Sequence, residues 1–126
     1  MEESEFVKFE VIFQNGTAVA VVPKETRICD VQSALEIALS ARYETGADRL
    51  LIDKRAMSHD FFILSTGLLG EVLQKFVNYH IKAAFYGDYA HYTSKPLKDF
   101  IRESNKGDSF FFTETREEAL EKLTGA

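Results

Sequence analysis

In residues 50–89, LLIDKRAMSHDFFILSTGLLGEVLQKFVNYHIKAAFYGDY, two short apolar runs bracket a loop and an amphipathic stretch. Leu50, Leu51 and Ile52, and then Ile81, Ala83, Ala84 and Phe85, lack the polar alternation of a half-exposed strand. That is the pattern of parallel strands covered on both faces by helices. Between the runs, Leu68, Leu69, Val72, Leu73, Phe76 and Val77 recur at helical spacing, with Glu71, Gln74, Lys75 and Asn78 opposite them. Strand, loop, helix and strand make one βαβ unit, whose crossover is expected to be right-handed.

Upstream, residues 6–13 and 17–22 are β-rich and joined by Asn15-Gly16, a dipeptide suited to the positive φ angles of a type I′ turn. An antiparallel first pair follows from this. Pro23 ends the second strand because it cannot donate to a ladder, and Asp30 stands where a carboxylate caps a helix. The helix is expected to run to about Thr45, burying Val31, Ala34, Leu35, Ala38 and Leu39, with Gly46 as its left-handed stop. A third strand spans residues 49–53.

Downstream, the fourth strand ends at Gly87, and a loop leads to Ser94 with Pro96 in the first turn of a helix. Leu97, Phe100 and Ile101 face inward there, and Gly107 closes the helix. Residues 109–113 form the last strand, and Thr115 with Glu118 is a capping box for a final helix docked by Ala119, Leu120 and Leu123. The order is β-β-α-β-α-β-α-β-α: one α/β domain over residues 1–126, with a five-stranded, mostly parallel mixed sheet, an N-terminal hairpin and four helices.

The totals restrict function. A chain of 126 residues with 45% hydrophobic and 28% charged content fits one globular core. A net charge of −5 with scattered basic residues disfavours nucleic acid as a partner. The single cysteine, Cys29, rules out an intrachain disulfide and any zinc site built from two or more cysteines; beside a helix start and without an identifiable His or Asn partner, it reads as a small, semi-buried apolar residue. The opening MEESEFVKFE has neither the cationic segment nor the apolar core of a signal peptide, and no apolar run reaches the roughly 18 residues that span a bilayer. The expectation is a cytoplasmic protein without membrane, metal or cofactor.

The element order, with a helix opening at Leu64-Ser65-Thr66-Gly67-Leu68 after the third strand, resembles the STAS domain (sulfate transporter and anti-sigma factor antagonist). In that family the loop carries an Asp-Ser-Ser-Gly-Leu type of motif whose second hydroxyl residue accepts phosphate from a partner kinase. The resemblance implies Thr66, with Ser65 beside it, as the regulatory acceptor. A closer resemblance is to a bacterial family catalogued as a domain of unknown function, number 4180, carried by Leu51-Ile-Asp-Lys54, Thr66-Gly-Leu68 and Tyr92-Thr-Ser-Lys95 through Asp99-Phe-Ile-Arg102-Glu-Ser-Asn105. It implies the domain identity and no reaction.

Ligands in open α/β sheets bind beyond the carboxyl ends of the parallel strands. Asp53, Lys54 and Arg55 follow the third strand, Asp88 and Tyr89 the fourth, and Ser94, Lys95 and Arg102 belong to the next helix. Two readings stay open. One is a non-catalytic module whose protein partner meets the helix from Thr66 to Tyr79 and the loops at residues 53–60 and 88–94. The other is a site for a small anionic ligand, or a small enzyme, with Asp53 or Asp88 as acid-base candidate. Capping and turn roles account equally for the Ser, Thr and Asp residues of the set. His59, His80 and His91 have no metal-binding spacing, though His59 and His91 are able to meet above the sheet as an acid-base pair. Tyr79, Tyr86, Tyr89, Tyr92, Phe61 and Phe62 supply more aromatic surface than a core of this size needs, so part of it is expected at a partner surface. The oligomeric state is undetermined at this level.

Overall fold

A computed structural model describes residues 9–125. Strands β1 (Glu10–Gln14) and β2 (Thr17–Val22) pair antiparallel through Asn15-Gly16, whose φ angles of 55° and 75° give the expected turn. The first part of the predicted strand, residues 6–8, lies outside the described residues. Next come helix α1 (Val31–Thr45), β3 (Arg49–Asp53), α2 (Leu68–Asn78), β4 (Lys82–Tyr86), α3 (Lys95–Lys106), β5 (Phe110–Thr113) and α4 (Arg116–Thr124). The sheet order is β1-β2-β3-β4-β5, parallel from β2 onward. The predicted α/β architecture, a five-stranded mixed sheet with four helices, is the observed one.

Because each parallel strand lies beside its predecessor, crossovers of one hand put their helices on one side of the sheet. The core is divided accordingly. Ala20, Val22, Leu50, Ile52, Ala83, Phe85 and Phe112 point to the face covered by α1, α2 and α3. Val19, Val21, Leu51, Ala84 and Phe111 point to the other, which α4 covers with Ala119 and Leu123. Strands buried on both faces have no polar register to alternate with, which is why their runs are continuously apolar.

Three local expectations change. Helix α2 starts at Leu68, not Leu64 or Thr66: Gly67 takes a φ of 78° and separates it from a 3₁₀ turn at Leu64–Thr66. Its buried stripe is Leu69, Val72, Leu73 and Phe76, with Leu68 and Val77 flanking it on opposite sides and Val77 exposed. In α1 the buried stripe is Ala34, Ala38 and Ala41, so the alanines hold the close contact and Leu35 stands beside it half-buried. Cys29, expected half inside, is exposed just before the Asp30 cap.

The remaining helix ends follow their sequence signals. Asp30 accepts from the Ser33 amide at 2.8 Å, Ser94 from Leu97 at 3.4 Å, and Thr115 from Glu118 at 3.1 Å. Gly107 ends α3 in an extended conformation, whereas Gly46 ends α1 in the left-handed one.

Candidate functional site

Two 3₁₀ turns, Lys54–Ala56 and His59–Phe62, carry the chain from β3 across the top of the sheet toward α2. Phe61 and Phe62 are buried and pin this segment to the core. Opposite it, the segment of residues 87–94 leaves β4 and enters α3. Between and beside these segments lie two cavities.

The first, of about 690 Å³, opens at the carboxyl ends of β3, β4 and β5 and is lined by Asp53, Lys54, Arg55, Tyr86, Gly87, Asp88, His91, Glu114 and Thr115. Asp53 is 4% exposed and ends β3 opposite Tyr86 in the ladder. Its Oδ1 accepts from the Arg55 amide at 2.9 Å and from Arg55 Nε at 3.1 Å, while its Oδ2 accepts from Nη2 at 2.7 Å. Burial works against the Asp53 charge, but the hydrogen bonds and charge of Arg55 outweigh it and hold the carboxyl below its usual range. A carboxylate held in this way is a structural anion and a poor proton acceptor near neutral pH. Burial first, and then the Asp53 charge, raise the Tyr86 phenol. Asp88 turns inward on its own loop, accepting from the Ala90 amide at 2.8 Å.

Lys54 spends its charge on aromatic faces. Its Nζ lies 4.6 Å from the Tyr92 ring centre, 5.2 Å from that of Phe62 and 5.6 Å from that of Tyr89. Tyr89 completes the cage from inside, donating to the Phe85 carbonyl at 2.9 Å, and its burial pushes the phenol well above the usual range. Gly87 makes room for the lysine stem. Its φ is 152°, and a Cβ there would lie 2.9 Å from Lys54 Cβ. Gly87→Ala is therefore expected to destabilise the protein by about 1–3 kcal/mol, measured by chemical denaturation. An unchanged midpoint would mean that Lys54 moves aside without loss.

The second cavity, about 540 Å³, is a largely apolar groove between residues 59–65 and 91–96, lined by His59, Phe62, Ile63, Leu64, Ser65, His91, Tyr92, Thr93, Ser94 and Pro96. His59 and His91 both lie against Tyr92, at 6.4 and 4.3 Å between ring centres. Thr66 sits behind this wall. Its Oγ1 hydrogen-bonds the carbonyls of Ile63 and Asp60 at 2.9 and 3.1 Å, and accepts from the Leu68 amide at 3.2 Å. It is at once the tether of the groove wall and the acceptor for the first amide of α2, whose N-cap residue is Gly67.

The residues singled out in the sequence thus divide into three groups. Asp53, Lys54, Arg55 and Asp88 meet in the first cavity, with Tyr89 beneath it. Ser65 and Ser94 line the groove, Thr66 anchors it, and Ser94 also caps α3. Lys95 and Arg102 line neither cavity: both bind Asp99 on the exposed side of α3, Lys95 at 2.7 Å, and together they lower the Asp99 carboxyl. The aromatic surplus is spent chiefly inside, with Phe61 and Phe62 buried and Tyr89 and Tyr92 packed on the core. The large apolar residues that are exposed include Phe13, Tyr43, Ile63 and Tyr79, of which only Tyr79 belonged to the expected set.

Gly87 entered the sequence reading only as the end of the fourth strand, and Ile63 escaped it. A glycine directly after a buried strand is a signal for close approach, and Ile63 belongs to the apolar run Phe61-Phe62-Ile63-Leu64, in which nothing in the sequence marks it as the exposed member. Among the described residues no helix is long and apolar enough to cross a membrane, and no three His, Cys, Asp or Glu side chains gather to hold a metal.

Comparison with known proteins gives one match. The family model of a domain of unknown function, DUF4180, covers residues 14–123. No curated protein and no solved structure matches.

Proposed function

We infer that this chain, which belongs to the DUF4180 family, a domain of unknown function, works as a non-catalytic, cytoplasmic protein-interaction module of STAS-like design, with the groove between residues 59–65 and 91–96 as its docking site. The observation that carries this reading is the groove itself: an apolar floor of Phe62, Tyr92 and Pro96, a rim of hydroxyls and histidines, and Ile63 left 42% exposed at its edge. A partner segment would place an apolar side chain on that floor and bond its backbone to Ser65, Thr93 or Ser94. The commitment of Asp53 to Arg55 weighs against acid-base work next door.

Thr66 supplies the switch in this reading. Phosphorylation at Oγ1 removes the hydroxyl proton that bonds the Asp60 and Ile63 carbonyls and adds about −1.5 to −2 charges against them. The wall carrying Ile63, Leu64 and Ser65 then loses its tether. The reading is tested by native mass spectrometry of the protein isolated from its own cell. A stoichiometric protein partner is expected, reduced at least tenfold in affinity by Ile63→Lys and by Thr66→Glu. Wild-type binding by both variants would remove the groove from consideration, and wild-type binding by both Thr66→Glu and Thr66→Ala would remove the switch.

The first cavity supports a second reading, a small anionic ligand held by Arg55 and Lys54, because it lies at the strand ends and Arg55 is 70% exposed there. A retained metabolite in the same spectrum, lost in Arg55→Ala, would favour it. At a hundredfold excess over its dissociation constant such a ligand stabilises by about 2.7 kcal/mol, visible in a thermal shift.

A further inference from the structure

The two edges of the sheet are not alike. At β5 the Asn105 side chain closes the edge: its Oδ1 accepts from the Phe112 amide at 2.7 Å and its Nδ2 donates to the Phe112 carbonyl at 3.1 Å. At β1 nothing comparable occurs among the described residues. A two-residue turn makes its flanking pair, Gln14 and Thr17, a hydrogen-bonded one, and the alternation continues through Ile12 with Val19 and Glu10 with Val21. The amides and carbonyls of Phe9, Val11 and Phe13 therefore point away from β2. No lysine, proline or bulge guards these positions, and Phe13 is 76% exposed.

We propose that β1 pairs antiparallel with β1 of a second copy of this chain, about a two-fold axis at Val11, joining the two sheets into one. An isologous contact requires that each residue meet its counterpart reciprocally, and residues 9–13, Phe-Glu-Val-Ile-Phe, with Phe at both ends and Val at the centre, bring apolar residues together about that axis. In this register Val11 faces Val11 of the second copy, each Phe13 faces the other copy's Phe9, and each Glu10 faces the other copy's Ile12. The apolar pairs fall on one side of the joined sheet. On the other, the two Glu10 carboxylates become diagonal neighbours about 7–8 Å apart. Each already has Arg116 at 3.5 Å, so the seam holds two charges of each sign. Directly opposed residues share a face, so both α4 helices lie on one side of the joined sheet and the strand-end cavities open in opposite directions.

The test is the mass in solution by light scattering across a concentration series. The wild-type chain is expected at twice its 14.3 kDa, falling to onefold on dilution. Val11→Pro removes only an outward-pointing amide and leaves the β1–β2 ladder its donors, so it is expected to give a folded monomer with an unchanged circular-dichroism spectrum. Phe13→Glu, at a site already open to solvent, is expected to do the same and keeps the test decisive should the proline variant not fold. A wild-type monomer at the highest soluble concentration overturns the proposal. So does a dimer that survives either folded variant.

Discussion

Phe61→Ala is expected to destabilise the protein by about 3–5 kcal/mol, the range for emptying a fully packed phenylalanine site. Phe61 is wholly buried although it belongs to a 3₁₀ turn outside the regular elements. Its loss removes the more deeply buried of the two rings that tie residues 57–66 to the core, and loosens the wall bearing Ile63 and Ser65. Against a total stability of about 5–15 kcal/mol for a small domain, the fraction lost is large. Urea unfolding followed by circular dichroism measures it. Phe61→Leu, which keeps most of the volume, should recover more than half of the loss. A change below about 1 kcal/mol in Phe61→Ala would show that the turn collapses onto the gap and is not an anchor.

Asn105→Ala is expected to cost about 2–4 kcal/mol, because two backbone groups of the buried residue Phe112 lose their partners at once. The asymmetry of an amide makes the companion variant informative. Asn105→Asp keeps the acceptor for the Phe112 amide but turns the donor into a second oxygen facing a carbonyl. It should be destabilised at neutral pH and regain part of the loss in acid, as protonation of the new carboxyl restores a donor. Denaturant midpoints at two pH values distinguish these cases. If Asn105→Ala matches the wild type, water replaces the side chain at this edge, and the contrast between the β5 and β1 edges disappears with it.

The fold was legible because its signals are redundant. The Asn15-Gly16 turn, the Asp30 and Thr115 caps and the unbroken apolar runs of β3 and β4 each specify an element independently, and the pairing found agrees with all of them. What escaped is tertiary in origin. The direction of the α1 stripe depends on which small side chains meet the sheet, a matter of helix rotation within an arc that the spacing leaves open. The start of α2 turned on Gly67, whose left-handed φ is a property of the loop before it.

At the site, Asp53, Lys54, Arg55 and Asp88 gathered because each follows a strand whose end lies beside the next. Lys95 and Arg102 did not, since a helix of twelve residues carries side chains around its whole circumference and Asp99 draws both to the outer side. Which of the aromatic residues reach the surface is hidden for a related reason, only Tyr79 of the expected set being strongly exposed: the count of rings gives their area, while the Lys54 cage and the Phe85–Phe112 stack at 4.9 Å show where the area goes.

The unequal cover of the sheet also governs the order of events during synthesis. Among the described residues three helices shield one face, but Val19, Val21, Leu51, Ala84 and Phe111 wait for α4. Its nine residues are tied to the opposite end of the sequence, with Gln14 and Asn15 donating to Thr124 Oγ1 and Arg49 to the Leu123 carbonyl. A nascent chain paused before Arg116 has every strand in hand and one greasy side open, the condition under which chaperones hold a client and neighbouring chains stick. The vulnerable interval closes when α4 emerges and swings beneath strands made long before it.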